Sequence, residues 1–298
     1  MVWETDVRLA EHTRYRIGGP AGRFGRARTR EELAEAVRSL EADTYRVLGG
    51  GANVLVADAG VPEAVLVLEG EFDYVRVGGD AIEAGAAAGL PVLVGDARRA
   101  ARAGYSFLEA VPGTVGGGLR MNAGSADVGL WDRVLRVEAL TPEGEVVRLT
   151  PADASPTYRA VGVPESWIFL GGTFEAPGGD RRRIETEHQE RRREKVASQV
   201  YDLPSCGSTW KNPGGDAGSA WEVVDRVGMR GARRGGAMIS DRHSNFIANL
   251  GDATAADVLW LMTETRRRAH EELGIWLEAE IRLWGFEPDE VRSAGGDA

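Results

Sequence analysis

Glycine supplies 40 of the 298 residues, about twice the ordinary share of ~7%. It gathers in three segments: Ile17 to Ala21 (IGGPA), Leu48 to Val56 (LGGGANVLV) and Val111 to Gly124 (VPGTVGGGLRMNAG). Without side chains, backbone amides can approach a ligand closely, and successive amides form a nest for an anion such as a pyrophosphate. Tight turns alone would use the same residues. The dinucleotide fingerprint GxGxxG opening a helix is absent: Gly49 and Gly51 are followed by Val54, and Gly116 and Gly118 by Met121. A Rossmann unit is therefore not expected. The 36 basic residues include only two lysines, Lys195 and Lys211, and neither follows a glycine, which excludes a P-loop.

Other chemistries are excluded as quickly. A net charge of −10 argues against binding nucleic acid by phosphate neutralisation. Cys206 is the single cysteine, so neither an internal disulfide nor a cysteine-cluster metal site is available. The four histidines, His12, His188, His243 and His270, show no HExxH spacing, and no metal is expected. The first residues, MVWETDVRLAEHTRYR, lack the apolar core of a secretory signal, and no apolar run approaches ~18 residues. The expectation is a cytoplasmic, soluble enzyme with no membrane or nucleic-acid partner.

The elements that must position these residues follow from periodicity and punctuation. Glu31 to Ala42 reads as a helix, Tyr45 to Leu48 and Val54 to Val56 as strands flanking the glycine run, and Val61 to Leu68 as a further strand. Strands are expected at Tyr74–Val77 and Ala81–Ala84, a helix at Leu90–Ala103, then a long loop through Gly124. Val134 to Leu149 reads as a hairpin turning at Thr141-Pro142-Glu143-Gly144, and Trp167 to Phe174 as a buried strand. Asp180 to Ser198 is a charged helix, read as a solvated connector. Beyond it come a helix at Ser219–Val227, strands at Ala237–Ser240 and Asn245–Asn249, a helix at Ala255–Leu273 and a strand at Ile275–Trp284. Alternation in that strand puts Ile275, Leu277, Ala279, Ile281 and Leu283 on one face and both Glu278 and Glu280 on the other, without choosing between the glutamates. Residues 287–298 are expected to be disordered.

The ordered motifs resemble those of the UDP-N-acetylenolpyruvoylglucosamine reductase (UDP-N-acetylmuramate dehydrogenase) family. LGGGANVLVADAGVPEAVL is similar to its GxGSNLLVxDxG segment, and VPGTVGGGLRMNAG to its IPGTVGGAxxMNAG loop. Tyr158-Arg159 matches its YR pair and Gly207 to Pro213 (GSTWKNP) its GSxFKNP. HSNFIANLGDATAADV and LEAEIRLWG match its closing helix and strand. The resemblance implies an α+β chain: an FAD-binding fold of the vanillyl-alcohol-oxidase type plus a C-terminal α/β substrate-binding domain. The expected boundaries are FAD-binding subdomains at 1–70 and 71–179, a connecting helix at 180–200 and a substrate domain at 201–286. Nothing between Tyr158 and Trp167 matches the insertion some members carry, which implies the shorter subtype.

The implied reaction reduces UDP-N-acetylglucosamine enolpyruvate with NADPH through non-covalent FAD, in peptidoglycan precursor synthesis, by a monomer. Another flavin oxidoreductase of this fold, or a non-catalytic flavin- or UDP-sugar-binding paralogue, is the alternative. On the resemblance, Ser208 delivers the proton, Arg159 steadies the developing enolate and Glu280 is the catalytic glutamate. FAD contacts would fall on Gly18, Gly19, Gly49, Gly50, Gly51, Ala52, Asn53, Val54 and Leu55, and on Pro112, Gly113, Thr114, Gly116, Gly117, Asn122, Ala123 and Gly124. Substrate contacts would fall on Tyr158, Lys211, Asn212 and His243. Three departures from the pattern stand out: Ala52 replaces a serine, Thr13-Arg14 stands where Asn-Thr is common, and Ala160-Val161 follows the YR pair where a serine is usual.

Overall fold

Three of the chain's helices start at a threonine whose hydroxyl accepts an otherwise unpaired amide: Thr29, Thr114 and Thr254. The computed structural model describes residues 1–41, 44–125 and 128–297. Its strands are β1 (Trp3–Glu4), β2 (Ala21–Ala27), β3 (Tyr45–Val47), β4 (Val54–Val56), β5 (Val61–Leu68), β6 (Val75–Gly78), β7 (Ala81–Gly85) and β8 (Gly124–Ser125). They continue as β9 (Val128–Gly129), β10 (Val134–Leu140), β11 (Val146–Leu149), β12 (Ile168–Glu175), β13 (Arg233–Arg234), β14 (Ala237–Ile239), β15 (Ile247–Asn249) and β16 (Arg282–Trp284). The α-helices are α1 (Arg30–Arg38), α2 (Leu90–Arg99), α3 (Val115–Arg120), α4 (Pro151–Ala154), α5 (Arg181–Ser198), α6 (Ala220–Arg226), α7 (Ala255–Leu273) and α8 (Pro288–Ser293). Thr29 caps α1 by accepting the Glu32 amide, and Glu31 and Glu32 lie in the first turn, where the helix dipole favours them. Thr254 and Asp257 cap α7 reciprocally, and Gly274, at φ +69°, ends it.

The chain divides into two compact units. The first comprises residues 1–4, 23–50 and 63–195, the second 5–22, 51–62 and 196–298. In the first, one sheet has the order β1-β2-β5-β3, with β3 and β5 parallel. A second, fully antiparallel sheet has the order β11-β10-β12-β7-β6. Helix α1 buries Leu33 and Val37 among Ala27, Leu66 and Phe72. The larger core of this unit surrounds Trp131, Phe174, Ile82 and Tyr105, and the Trp131 indole N–H donates to the Leu119 carbonyl at 2.8 Å. In the second unit, β13-β14-β15 form an antiparallel sheet and β16 pairs in parallel with β4. Helix α7 buries Val258, Leu261, Met262, Thr265 and Ala269, the one-sided spacing of an amphipathic helix. Among the described residues, no helix is long and apolar enough to cross a membrane.

Most elements match the periodicity, and the hairpin turn closes as read, with the Gly144 amide on the Thr141 carbonyl at 2.9 Å. Ala42, the last residue of the first expected helix, lies outside the described residues. Five expectations need correction. The glycine loop from Val111 contains α3, whose start Thr114 caps despite three glycines inside it. Helix α2 ends at Arg99 rather than Ala103, because Ala101 takes φ +53°. Helix α5 is not solvated all round: Ile184, His188 and Lys195 are buried on one face. The last strand is only Arg282–Trp284; residues 275–281 reach it as an extended segment bridged at Ala279. The two units interleave along the chain: 5–22 and 51–62 join the C-terminal unit through β4–β16 pairing and the Tyr15, Ile17 and Leu55 side chains.

The fifth correction concerns the tail, where residues 288–293 are helical. Pro288 opens α8, the Glu290 carboxylate accepts the Glu287 amide at 2.9 Å, and Val291 and Ala294 are buried. The Gly295 carbonyl then accepts the Ala279 amide at 2.8 Å. Its polar composition hid two apolar residues three apart, enough for a docked face. Deleting residues 287–298 is expected to cost about 2 kcal/mol, roughly one buried aliphatic side chain, in urea-unfolding midpoints. An unchanged midpoint would show that α8 contributes nothing.

Candidate active site

In the first unit, two glycine segments meet backbone to backbone. A Cβ on Gly50 would lie 2.9 Å from Gly113 Cα, and one on Gly49 would lie 2.6 Å from Thr114 Oγ1. No side chain longer than hydrogen fits this approach. The neighbouring strand contact is carried by other groups: the Leu90 amide bonds the Gly113 carbonyl at 2.9 Å and the Val115 amide bonds the Ala88 carbonyl at 2.8 Å. Among the described residues, none accepts a hydrogen bond from the amides of Gly49, Gly50, Gly113 or Thr114. The Gly117 amide has only a 3.5 Å contact with Thr114 Oγ1. Converging free amides with no side chains between them suit a diphosphate. Gly116 instead donates to the Ala86 carbonyl, Pro112 has no amide hydrogen to offer, and Ala123 donates to the Gly118 carbonyl.

Asn122, Gly124 and the Tyr158-Arg159 pair form a second cluster in this unit. Asn122, at φ +40°, donates from Nδ2 to the Thr157 carbonyl at 2.9 Å and accepts the Trp131 amide on Oδ1 at 3.1 Å. The Thr157 and Ala160 backbones bond each other, so Tyr158 and Arg159 form the tip of a tight turn. Arg159 donates to the carbonyls of Asn122 (3.4 Å) and Gly124 (3.0 Å), and its guanidinium lies 4.9 Å from the half-exposed Tyr158 ring. Nearby charge is buried: His188 Nδ1 and Glu109 Oε2 stand 2.8 Å apart, and Lys195 Nζ donates to the Phe107 carbonyl at 3.4 Å. Burial, then the positive Arg191, pulls the Lys195 ammonium down to about 8; Glu109 opposes this and Arg159 adds to it. The rarity of lysine was the signal that Lys195 differs from its arginine neighbours.

The second unit holds the remaining glycines. Gly19 gives its amide to the Ala57 carbonyl at 2.9 Å, and a Cβ there would meet the Asp58 carbonyl oxygen at 2.3 Å. A Cβ on Gly18 would lie 2.9 Å from that of Val56, so packing alone requires both glycines. Gly51, at φ +58°, leaves 2.1 Å between a Cβ and the His12 carbonyl oxygen. No described residue accepts the amides of Gly51, Ala52 or Asn53. Val54 and Leu55 are buried in β4. The Asn53 side chain is committed to the protein, donating to the Glu280 carbonyl at 3.0 Å.

Ser208 and Glu280 meet in this unit through a backbone bridge. Trp210 lies opposite Ala279, the Glu280 amide bonds the Thr209 carbonyl at 2.8 Å, and the Lys211 amide bonds the Glu278 carbonyl at 2.9 Å. Ser208 stands one residue beyond the Thr209–Glu280 pair; it is half-buried, and its hydroxyl bonds no described residue. Glu280 is half-buried while Glu278 is exposed, with its carboxylate 3.3 Å from Lys211 Nζ. The structure thus separates two glutamates that alternation left equivalent. Asn212 is turned to the start of α6, where its Oδ1 accepts the Ala220 amide at 3.0 Å. His243 accepts the Asn245 amide on Nδ1 at 3.3 Å; burial, then the Arg230 guanidinium, lowers its pKa and favours the neutral ring. Asn245, two residues after His243, is buried against this same bridge. Its signal was a polar residue at the head of the apolar run Phe246-Ile247-Ala248. Among the described residues, no cluster of acidic, histidine and cysteine side chains could hold a metal.

A glycine cradle on a mixed sheet, joined to a small α/β unit bearing a serine and a glutamate, defines a two-part flavoprotein. Residues 23–150 match the family model of an FAD binding domain, and residues 199–284 that of the UDP-N-acetylenolpyruvoylglucosamine reductase C-terminal domain. Reductases of that name from Paramagnetospirillum magneticum and Cereibacter sphaeroides are 40% and 39% identical to the chain. The first alignment covers 95% of this chain and 92% of the relative, the second 94% of each. The crystal structure of UDP-N-acetylenolpyruvylglucosamine reductase from Thermus caldophilus superposes with a TM-score of 0.83 at 36% identity, covering 95% of this chain and all of that one. The chain belongs to the UDP-N-acetylenolpyruvoylglucosamine reductase family. Its cofactor is FAD, and the free amides beside Gly49–Gly50 and Gly113–Thr114 fit the cofactor's diphosphate.

Two measurements check this electrostatic and steric reading. Gly50→Ala should weaken FAD binding at least about tenfold, the equivalent of roughly 1.4 kcal/mol, in titrations of apoprotein; unchanged affinity would remove the cradle. Lys195 has a folded pKa below its unfolded value of about 10.4, so its stabilising contribution is complete above that value and is lost as pH falls through about 8. Unfolding free energy should therefore rise between pH 8 and pH 9.5 in the natural protein, and Lys195→Met should lack that part of the rise.

Proposed function

We propose that this chain reduces UDP-N-acetylglucosamine enolpyruvate to UDP-N-acetylmuramate with NADPH, a step of peptidoglycan precursor synthesis, using Ser208, Arg159 and Glu280. The observation that carries the assignment of roles is the unbonded Ser208 hydroxyl one residue beyond the Thr209–Glu280 backbone pair. FAD, which the free amides beside Gly49–Gly50 and Gly113–Thr114 would hold by its diphosphate, would supply the hydride chemistry by which NADPH reduces C3 of the enolpyruvyl group. That reduction leaves C2 to be protonated and negative charge to be held at the adjoining carboxylate.

Ser208 supplies the proton at C2. Its hydroxyl has no competing partner among the described residues, and its place in the chain is set by neighbours whose backbone groups are fully engaged. Glu280 provides the adjacent carboxyl, with its backbone held on both sides by Thr209 and Asn53. Arg159 steadies the enolate: its planar fork suits a carboxylate, and the Asn122 and Gly124 carbonyls hold it in register. Tyr158, Lys211, Asn212 and His243 bind the UDP-sugar. For Lys211 the Glu278 pairing is solvent-exposed and so cheap to exchange for a phosphate. Asn212 and His243 contribute by shaping the start of α6 and the Asn245 turn. Glycines 18, 19 and 51, with Ala52 to Leu55, shape the flavin-facing backbone through the close packing described above.

The expected result for Ser208→Ala is a split between half-reactions. Reduction of the bound flavin by NADPH should be unchanged, while its reoxidation by the enolpyruvyl substrate slows about 10²–10⁴-fold, the range of a positioned general acid. Stopped-flow absorbance at the flavin band reads both. Equal loss of the two half-reactions would remove Ser208 from the proton transfer.

A further inference from the structure

Ser208 lies between two anchors: the buried Cys206, whose thiol donates to the Val54 carbonyl at 3.0 Å, and the residues that follow it. Gly207 before it has φ +77°, with open space around the position a Cβ would take. After it, every backbone hydrogen-bonding group of the next two residues is engaged. The Thr209 amide donates to the Asn245 carbonyl at 2.7 Å, and the Thr209 carbonyl accepts the Glu280 amide at 2.8 Å. The Trp210 amide donates to Asn245 Oδ1 and the Trp210 carbonyl accepts from Asn245 Nδ2, both at 2.9 Å. Asn245 therefore makes three of the four bonds and is itself 3% exposed. Only a carboxamide has an acceptor and a donor spaced to close both groups of one residue. Aspartate would keep the acceptor for the Trp210 amide but set an oxygen against the Trp210 carbonyl, and alanine would leave a buried amide and carbonyl unpaired.

We propose that Asn245 is a positioning residue for the reaction and acts through Ser208, whose hydroxyl it holds by clamping Trp210. The proposal rests on the reading of Ser208 as proton donor. Without the clamp, the Ser208 segment keeps the Thr209 main-chain bonds and the Cys206 anchor but loses both Trp210 backbone bonds, and a displacement of about 1 Å at a reacting group is worth about 10²-fold in rate. The loss falls on proton delivery, because the clamp bonds the Trp210 backbone two residues from Ser208.

The test uses full-length, FAD-loaded enzyme. Asn245→Ala should reoxidise with the enolpyruvyl substrate about 10–100-fold more slowly, while reduction by NADPH is unchanged and reports a folded holoenzyme. Hydrogen exchange at the Trp210 amide should accelerate. In the double variant Ser208→Ala/Asn245→Ala, reoxidation should be no slower than in Ser208→Ala alone, because a residue acting only through Ser208 has nothing further to lose. Should Asn245→Ala not fold, Asn245→Asp keeps the acceptor for the Trp210 amide, and the same pattern is expected. A loss that multiplies in the double variant, or that falls equally on both half-reactions, overturns the proposal. If Ser208→Ala alone reoxidises normally, the proton-donor reading fails and this proposal with it, an outcome distinct from multiplication.

Discussion

A short backbone pairing between residues 209–211 and 278–280 is the constraint on which the site of the second unit depends. Two main-chain hydrogen bonds, from Glu280 to Thr209 and from Lys211 to Glu278, set the places of Ser208, Lys211, Glu278 and Glu280 by register. A slip of one residue would exchange the half-buried Glu280 for the exposed Glu278. The register is secured from outside the pair by two asparagines: Asn245 on Trp210 and Asn53 on the Glu280 carbonyl. The closing segment is secured in turn by α8, through the Ala279–Gly295 bond, and by the parallel pairing of β16 with β4. A tail that reads as dispensable is thus part of what fixes the glutamate.

The cofactor half relies on absence instead of presence. Gly49, Gly50 and Gly113 bring two main chains within distances that no Cβ allows, and this leaves amides uncommitted on a surface. The loss of a serine hydroxyl at Ala52 matters little to such a site, because amides do the work. Not every glycine serves the ligand. Gly19 spends its amide on Ala57, and Gly116 on Ala86. The compositional excess therefore has two physical sources: ligand approach at a few positions, and main-chain packing at the others.

Charge follows the same division between surface and interior. Most of the arginine–carboxylate pairs are partly exposed and contribute little each. The exception is the face of α5 bearing His188 and Lys195, packed against Glu109 beside the Arg159 turn. Burying an ammonium there costs stability at neutral pH, and its retention in a chain that otherwise uses arginine marks a place where a compact charge is kept despite that cost.

The motifs, the hairpin, α1, α7 and the family were legible in the residues, because periodicity, caps and turn chemistry are local, and because an ordered set of motifs is specific even when each is modest. Ser208, Arg159 and Glu280 were nameable from the motifs; alternation could not rank Glu280 above Glu278, the resemblance did, and the structure adds that Glu280 is the more buried of the two. Asn53 read as a cofactor contact, and its side chain donates to the Glu280 carbonyl, 227 positions away, which no local pattern shows. The bonds of Asn245 could not be read from its motif, since their partner Trp210 lies 35 positions away. The helix within the glycine loop and the docked tail were also missed, because in both the deciding term was burial against distant residues, not local propensity. By itself, then, the sequence determined which side chains are available and which segments are helix, strand or turn, all of them interactions over a few residues. The tertiary structure alone decided which amides stay unpaired and which glutamate is half-buried opposite Thr209, because both depend on contacts between segments far apart in the chain.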